Sequence, residues 1–169
     1  MDGIRLLFGK PVIQERSRLI MAIKDLQSRH GIIAQALDAR LVVSQKHIDF
    51  AVQKALSALS EGRNIANDAG VEIMRYASGE RQIESALVMG VSDQTRRIAL
   101  ILVEAQGQKS WPDDSELCQI IEPDGRGGSF DPEAVKDLFH ISSQEIEAVG
   151  EQRMEDLVIE RVALVETYR

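Results

Sequence analysis

Nine residues in mid-chain, Arg75-Tyr-Ala-Ser-Gly-Glu-Arg-Gln-Ile83, combine side chains suited to a phosphate and an unpaired base. The expected local course is a strand over Val71–Ala77, a break at Ser78-Gly79, and a short helix carrying Ile83, Ala86 and Leu87 as far as Gly90. The first amides of a helix lack carbonyl partners and carry the positive end of its dipole, so they attract anions. Gly79 would let a ligand approach the backbone closely. Arg75 and Arg81 flank the turn, and a guanidinium grips phosphate through paired donors. Tyr76 offers a ring on which a base can stack. The same residues have plainer uses: Ser78 as a helix cap, Tyr76 as core, and the arginines as partners of Glu72, Glu80 or Glu84. On a strand, Arg75 falls in phase with Val71 and Ile73, and a guanidinium turned toward a core needs a partner, because burying it unpaired is costly.

Two other segments carry related chemistry. Ser44-Gln-Lys-His47 opens a long helix and places Lys46 and His47 at its N-terminus, where an anion could sit. Arg63-Asn-Ile-Ala-Asn67 is a polar loop around Ile65, and the Asn64 amide both donates and accepts, as reading a base edge requires.

Other chemistries lack their parts. His30, His47 and His140 stand apart, with no HExxH and no Cys/His cluster, so the three or four convergent ligands of a zinc site are missing. Gly125-Arg-Gly-Gly128 lacks the Gly-Lys-Ser/Thr ending of a phosphate-cradling loop and reads as a turn. There is no GxGxxG after a strand and no GxSxG elbow. Cys118 could be paired with His140 only by assumption, and a small buried cysteine is the plainer expectation. These residues give an enzyme reading no positive support, and no catalytic residue, metal or cofactor is expected.

A chain of 169 residues suits one domain with a sizeable core, and 44% apolar with 28% charged residues is ordinary globular usage. A net charge of −7 argues against a generally cationic coat, and a single cysteine excludes an internal disulfide framework and fits a reducing compartment. The charge is uneven: 15 Lys/Arg stand against 12 Asp/Glu up to Trp111, and 5 against 15 from Pro112 onward, leaving the first two thirds free to engage an anion. The longest apolar run, Ile98–Val103, is far short of the ~20 residues a membrane helix needs. The opening residues lack the apolar region and cleavage site of a secretory signal. No membrane partner is expected, and the expected location is the cytoplasm.

The periodicities predict a strand at Ile4–Phe8 ended by Gly9-Lys-Pro11, and a helix from Pro11 to about Arg29 stopped by Gly31. One or two short strands follow over Ile32–Val43. Ser44 caps a helix whose stripe is Ile48, Ala51, Val52, Ala55, Leu56 and Leu59, running to Gly62. Ile98–Val103 reads as a central strand. Ser115–Ile121 is a weak segment between two loops. Asp131 caps a helix with Pro132 at its first position, and Ser142 or Ser143 caps the next. The last segment, Met154 to Val165, fits a helix, although Val162, Leu164 and Thr167 also alternate as a strand would. The class is α+β: a single domain over 1–169, with a mixed or antiparallel β-sheet packed with several α-helices.

Lys46-His-Ile-Asp-Phe-Ala-Val-Gln-Lys-Ala55, Asn64-Ile-Ala66, Glu72-Ile-Met-Arg-Tyr-Ala-Ser-Gly-Glu-Arg-Gln-Ile83 and Glu160-Arg-Val-Ala-Leu-Val165 resemble the PRPK-binding-protein family, the small kinase-associated regulatory subunits of the KEOPS complex. The resemblance covers residues 3–104 and the C-terminal end, with 106–131 divergent. It implies a non-catalytic subunit that docks on the small atypical protein kinase of that complex and meets the other KEOPS subunits indirectly. It further implies a part in threonylcarbamoyladenosine (t6A) formation next to the anticodon and, as in archaeal members of that family, binding of the single-stranded 3′ CCA end of tRNA. Carried onto this chain, the RNA role falls first on Arg75, Gly79, Arg81, Gln82 and Ile83, then on Lys46, His47, Asn64 and Ile65, with Tyr76, Ser78 and Arg63 beside them. The alternative is a protein-only adaptor that tunes the kinase without touching RNA. A small hydrolase or transferase using Cys118 or a carboxylate pair is a distant third.

Overall fold

The six residues of Ile98–Val103 are all apolar, and the chain buries every one of them, as a strand covered on both faces requires. The computed structural model describes residues 3–127 and 129–167. In it this strand, β3, lies between β2 (Ile33–Asp38) and β1 (Ile4–Pro11), and β4 (Ile121–Pro123) pairs with the far edge of β1 in the order β2-β3-β1-β4. Every pairing is antiparallel: Ile4 faces Val103, Ile33 faces Val103 on the other side, and Pro11 faces Ile121. The class is thus α+β with an antiparallel sheet.

The chain forms two compact units, each built from two stretches of sequence: 1–39 with 90–127, and 40–89 with 128–169. The first holds the whole sheet and α1 (Arg16–His30). Leu19, Ile23 and Leu26, spaced three and four apart, pack on Ala34 and Ala36 of β2 and on Ile98, Leu100 and Leu102 of β3. Two boundaries differ from expectation. β1 runs through Gly9-Lys-Pro11 instead of stopping there, because Gly9 lies so close to β4 that a Cβ would meet the Glu122 carbonyl oxygen at 2.0 Å. α1 accordingly starts at Arg16, not Pro11, and its cap comes from far along the chain: the Arg16 amide donates to the Asp93 carboxylate at 2.8 Å. Gly31 closes α1 at φ +67°, as expected. The 105–116 segment is stapled to the end of α1 by His30, whose ring bridges the Ser110 hydroxyl (2.6 Å) and the Glu116 carboxylate (2.7 Å). Ser115–Ile121 resolves into a one-turn helix, α5 (Asp114–Leu117), and the start of β4, and Cys118 beside them is exposed, not buried.

The second unit is helical: α2 (Gln45–Ser60), α3 (Ala69–Ala77), α4 (Ile83–Ala86), α6 (Pro132–Phe139), α7 (Ser143–Val149) and α8 (Met154–Leu164). Ser44, Asp131 and Ser142 cap α2, α6 and α7 as the sequence indicates, each accepting an amide of the first turn. The final segment is a helix, not a strand. The largest departure is Val71–Ala77, read as a strand and folded as α3. Asp68 accepts the Val71 amide at 3.0 Å and starts the helix, and Ile73, Met74, Tyr76 and Ala77 are all buried. A nine-residue helix buried nearly all round has no polar face, so its short apolar run mimics an alternating strand. The turn expected at Gly125–Gly128 is described as far as Gly127; Gly128, like Met1 and Asp2 of the opening residues, lies outside the described residues. Among the described residues no helix is long and apolar enough to cross a membrane, and no group of three or more His, Cys, Asp or Glu side chains is placed to hold a metal ion.

Candidate functional site

Glu72 and Arg75 stand three apart on α3, one helical turn, and both are buried. Arg75 grips the Glu72 carboxylate through two donors, Nε to Oε1 at 2.9 Å and Nη2 to Oε2 at 3.0 Å. Burial pulls the arginine's pKa down more than any one contact raises it, but the hydrogen bonds and charge of Glu72, together with Tyr76, outweigh it and hold the guanidinium above its ordinary value. The pair has further uses at both ends. Glu72 also accepts the amides of Ile65 (3.3 Å) and Ala66 (3.1 Å), and the third donor of Arg75, Nη1, reaches the Arg81 carbonyl at 3.0 Å. One buried ion pair therefore pins two loops, 63–66 and 79–82, to the same helix.

Between those loops lies a pocket of about 590 Å³, within the ordinary size of a small-ligand site. Arg63 and Ile65 line it from one loop, Arg75 and Tyr76 from α3, Arg81, Gln82, Ile83 and Glu84 from the other, and Val165 and Glu166 from the turn after α8. Seven of these ten are residues that sequence alone singled out, drawn from two segments with no sequence sign that they meet. Arg81 and Gln82 are exposed, Ile65 is 60% exposed, and the Arg81 guanidinium has no partner among the described residues. Arg63 is shared between Glu61 and Glu166, which together hold its pKa above the usual arginine value.

Several expected roles change. Arg75 is not a core-facing strand residue waiting for a ligand; its partner is Glu72. Tyr76 is 1% exposed, with the Arg75 guanidinium 4.8 Å from its ring centre and its hydroxyl donating to Glu166 at 3.0 Å, so it offers no free face to a base. Ser78 closes α3: its hydroxyl donates to the Arg75 carbonyl (2.9 Å) and accepts the Glu80 amide (3.3 Å). Gly79 has φ +70°, and what crowds it is Phe139 of α6 and Arg161 of α8, 3.2 and 3.3 Å from where a Cβ would stand, so the close approach is by the chain itself. α4 is a single turn that starts at Ile83 and gives way to a 3-10 turn over Leu87–Met89, too short to present the dipole expected of it.

The second segment divides. Lys46 is exposed at the start of α2, whereas His47 is fully buried, accepting the Val43 amide on Nδ1 (3.2 Å) and donating from Nε2 to the Ala77 carbonyl (2.7 Å). Burial pulls its pKa down to about 4, so the ring is neutral at pH 7 and supplies no charge to an anion. Asn64 turns its own loop, donating to the Ala66 carbonyl at 2.9 Å. Lys46, His47, Asn64, Ser78 and Gly79 do not line the pocket. Sequence reading missed Glu166, because nothing local marks a residue ninety positions from its partner Tyr76. Glu72 was visible as a candidate partner of Arg75, but its grip on the 65–66 amides was not.

The family model described as kinase binding protein CGI-121 matches residues 14–166, nearly the whole chain. Among curated proteins no relative matches it. The chain belongs to the kinase binding protein CGI-121 family.

Proposed function

From membership of a kinase-binding family, we propose that this protein is a non-catalytic, kinase-associated regulatory subunit of the KEOPS complex that also binds tRNA. Its pocket takes the single-stranded 3′ CCA end, and in doing so it recruits substrate for threonylcarbamoyladenosine formation by the other subunits. The observation that carries the RNA reading is the convergence of the 63–66 and 79–83 loops on one pocket that holds an unpaired guanidinium, Arg81, beside the apolar Ile65 and Ile83. A guanidinium answers a phosphate, and apolar walls with a glutamine amide suit an unstacked base. The test is a mobility-shift titration of intact tRNA against tRNA lacking its terminal CCA, with wild type and Arg81→Ala. CCA-dependent binding that Arg81→Ala weakens by about tenfold supports the reading. Equal binding of both RNAs overturns it.

The engagement of Arg75, Tyr76 and His47 inside the protein favours a second reading, an adaptor that binds the kinase alone. On that reading Leu87 and Val88, 48% and 66% exposed, belong to a protein contact, and no tRNA shift occurs with or without the kinase.

A further inference from the structure

Glu166 sits on the turn that follows α8, and three donors converge on its carboxylate. Oε1 accepts Nη1 of Arg63 and the hydroxyl of Tyr76, both at 3.0 Å, and Oε2 lies 3.5 Å from Nζ of Lys54. The donors come from the 63–66 loop, α3 and α2, so separate parts of the helical unit aim at one small volume. Arg63 and Lys54 have no acceptor and the Tyr76 hydroxyl turns its proton toward the same point, and donors so aimed bind a phosphate oxygen as readily as a carboxylate oxygen. Burial opposes the charge on Glu166, and the hydrogen bonds from Arg63 and Tyr76 with the charges of Lys54 and Arg63 together overcome it and keep the carboxyl below the usual range. Lys54, Arg63 and Glu166 all keep part of their surface in water, at 32, 26 and 25% exposure. Ion pairs of that exposure contribute little to stability, and a ligand anion can displace them. The position matters as much as the chemistry: Arg63, Tyr76 and Glu166 line the same pocket as the unpaired Arg81.

We propose that Lys54, Arg63 and the Tyr76 hydroxyl form a phosphate subsite of this pocket, and that Glu166 is its built-in competitor. Its carboxylate stands where a phosphate of the bound nucleic acid end would stand and swings out when that phosphate enters. Naming the phosphate as one of RNA rests on the RNA reading of the pocket; the anion subsite itself does not. Lys54, not among the residues expected to touch RNA, is then part of the binding surface, and the turn after α8 sets the threshold for binding.

Two measurements on the full chain separate these statements. The first is affinity for a short single-stranded RNA ending in CCA, comparing wild type, Glu166→Gln and the double variant Lys54→Ala/Glu166→Gln. Glutamine keeps the size and an acceptor oxygen and removes the charge, so Glu166→Gln should bind about fivefold more tightly, and the added Lys54→Ala should abolish the gain. The second needs no RNA: the rise in melting temperature on replacing chloride by inorganic phosphate at equal ionic strength, expected to be larger for Glu166→Gln than for wild type or the double variant. If Glu166→Gln matches wild type in both, the inference is overturned, and a loss of RNA binding in Arg81→Ala would still leave the pocket's RNA role standing. If phosphate stabilises Glu166→Gln selectively while no variant binds RNA, the subsite holds and the RNA reading fails.

Discussion

Burying an imidazole penalises its protonated form, and for His47 that penalty exceeds what the Ala77 carbonyl and the Glu155 charge give back. Its Nδ1 must accept from Val43 and its Nε2 must donate to Ala77, which fixes the neutral Nε2–H tautomer. Its ring and that of Phe139 meet at a steep angle, 5.7 Å between centres. The folded pKa, about 4, is below the ordinary 6.5, so between those values the unfolded chain holds the proton and the folded chain does not. Stability from this residue is complete above pH 6.5 and is lost as pH falls toward 4, by about 2 kcal/mol at pH 5. Urea unfolding at pH 7.5 and pH 5 should show that loss in wild type and its absence in His47→Gln, whose amide can still donate to Ala77. An equal pH dependence in the two proteins would mean that His47 is charged in the folded state.

At the scale of elements, the site exists because α3 holds two loops, and the Glu72–Arg75 pair does the holding. Removing one partner of a buried ion pair leaves the other charge desolvated and unmatched, at a cost of about 3–5 kcal/mol. Arg75→Ala should therefore lower stability by that amount in chemical denaturation, while Arg81→Ala, exposed and unpartnered, should change it by no more than about 0.5 kcal/mol. Loss of RNA binding in Arg75→Ala then reports a loosened fold, and only Arg81→Ala reports contact. A stability change of less than 1 kcal/mol in Arg75→Ala would show that the loops are held by other means. Sequence signals mark these elements unequally. Caps are local, so Ser44, Asp131 and Ser142 announced their helices, and β3 announced itself by having no polar side chain. α3 did not, because tertiary burial of Glu72 and Arg75 removed the polar face that marks a helix. The two pocket loops were each visible as odd chemistry; their meeting was not, since it depends on an ion pair inside a helix read as a strand. Glu166 was invisible for a different reason, a contact made across ninety residues with no spacing rule to betray it.

Folding redistributes the charge that the linear chain displays. Reading from the N-terminus, the first two thirds look mildly basic and the last third acidic, yet the helical unit draws on both and holds 10 Lys/Arg against 16 Asp/Glu. The pocket is thus a small cationic spot in an acidic unit, so a nucleic acid bound as proposed would have its distant phosphates repelled and only those inside the pocket matched. Counting the cations that can meet phosphate bounds the salt response: Arg81 alone gives one contact, and Arg63 with Lys54, once Glu166 leaves, raises the number to three. For a single strand the slope of log affinity against log salt is about −0.7 per contact, so it should fall between about −0.7 and −2. Raising monovalent salt from about 50 to 200 mM would then weaken binding of a CCA-ended strand by about threefold to about twentyfold. A titration across that range by fluorescence anisotropy checks it. A slope near −5 would require phosphate contacts well beyond the pocket and an RNA path over another surface. A slope within those bounds would fit the proposed function in one further way: an acidic unit with so few matched phosphates would hold an RNA terminus weakly by itself, and retention of a whole tRNA would need cations from elsewhere.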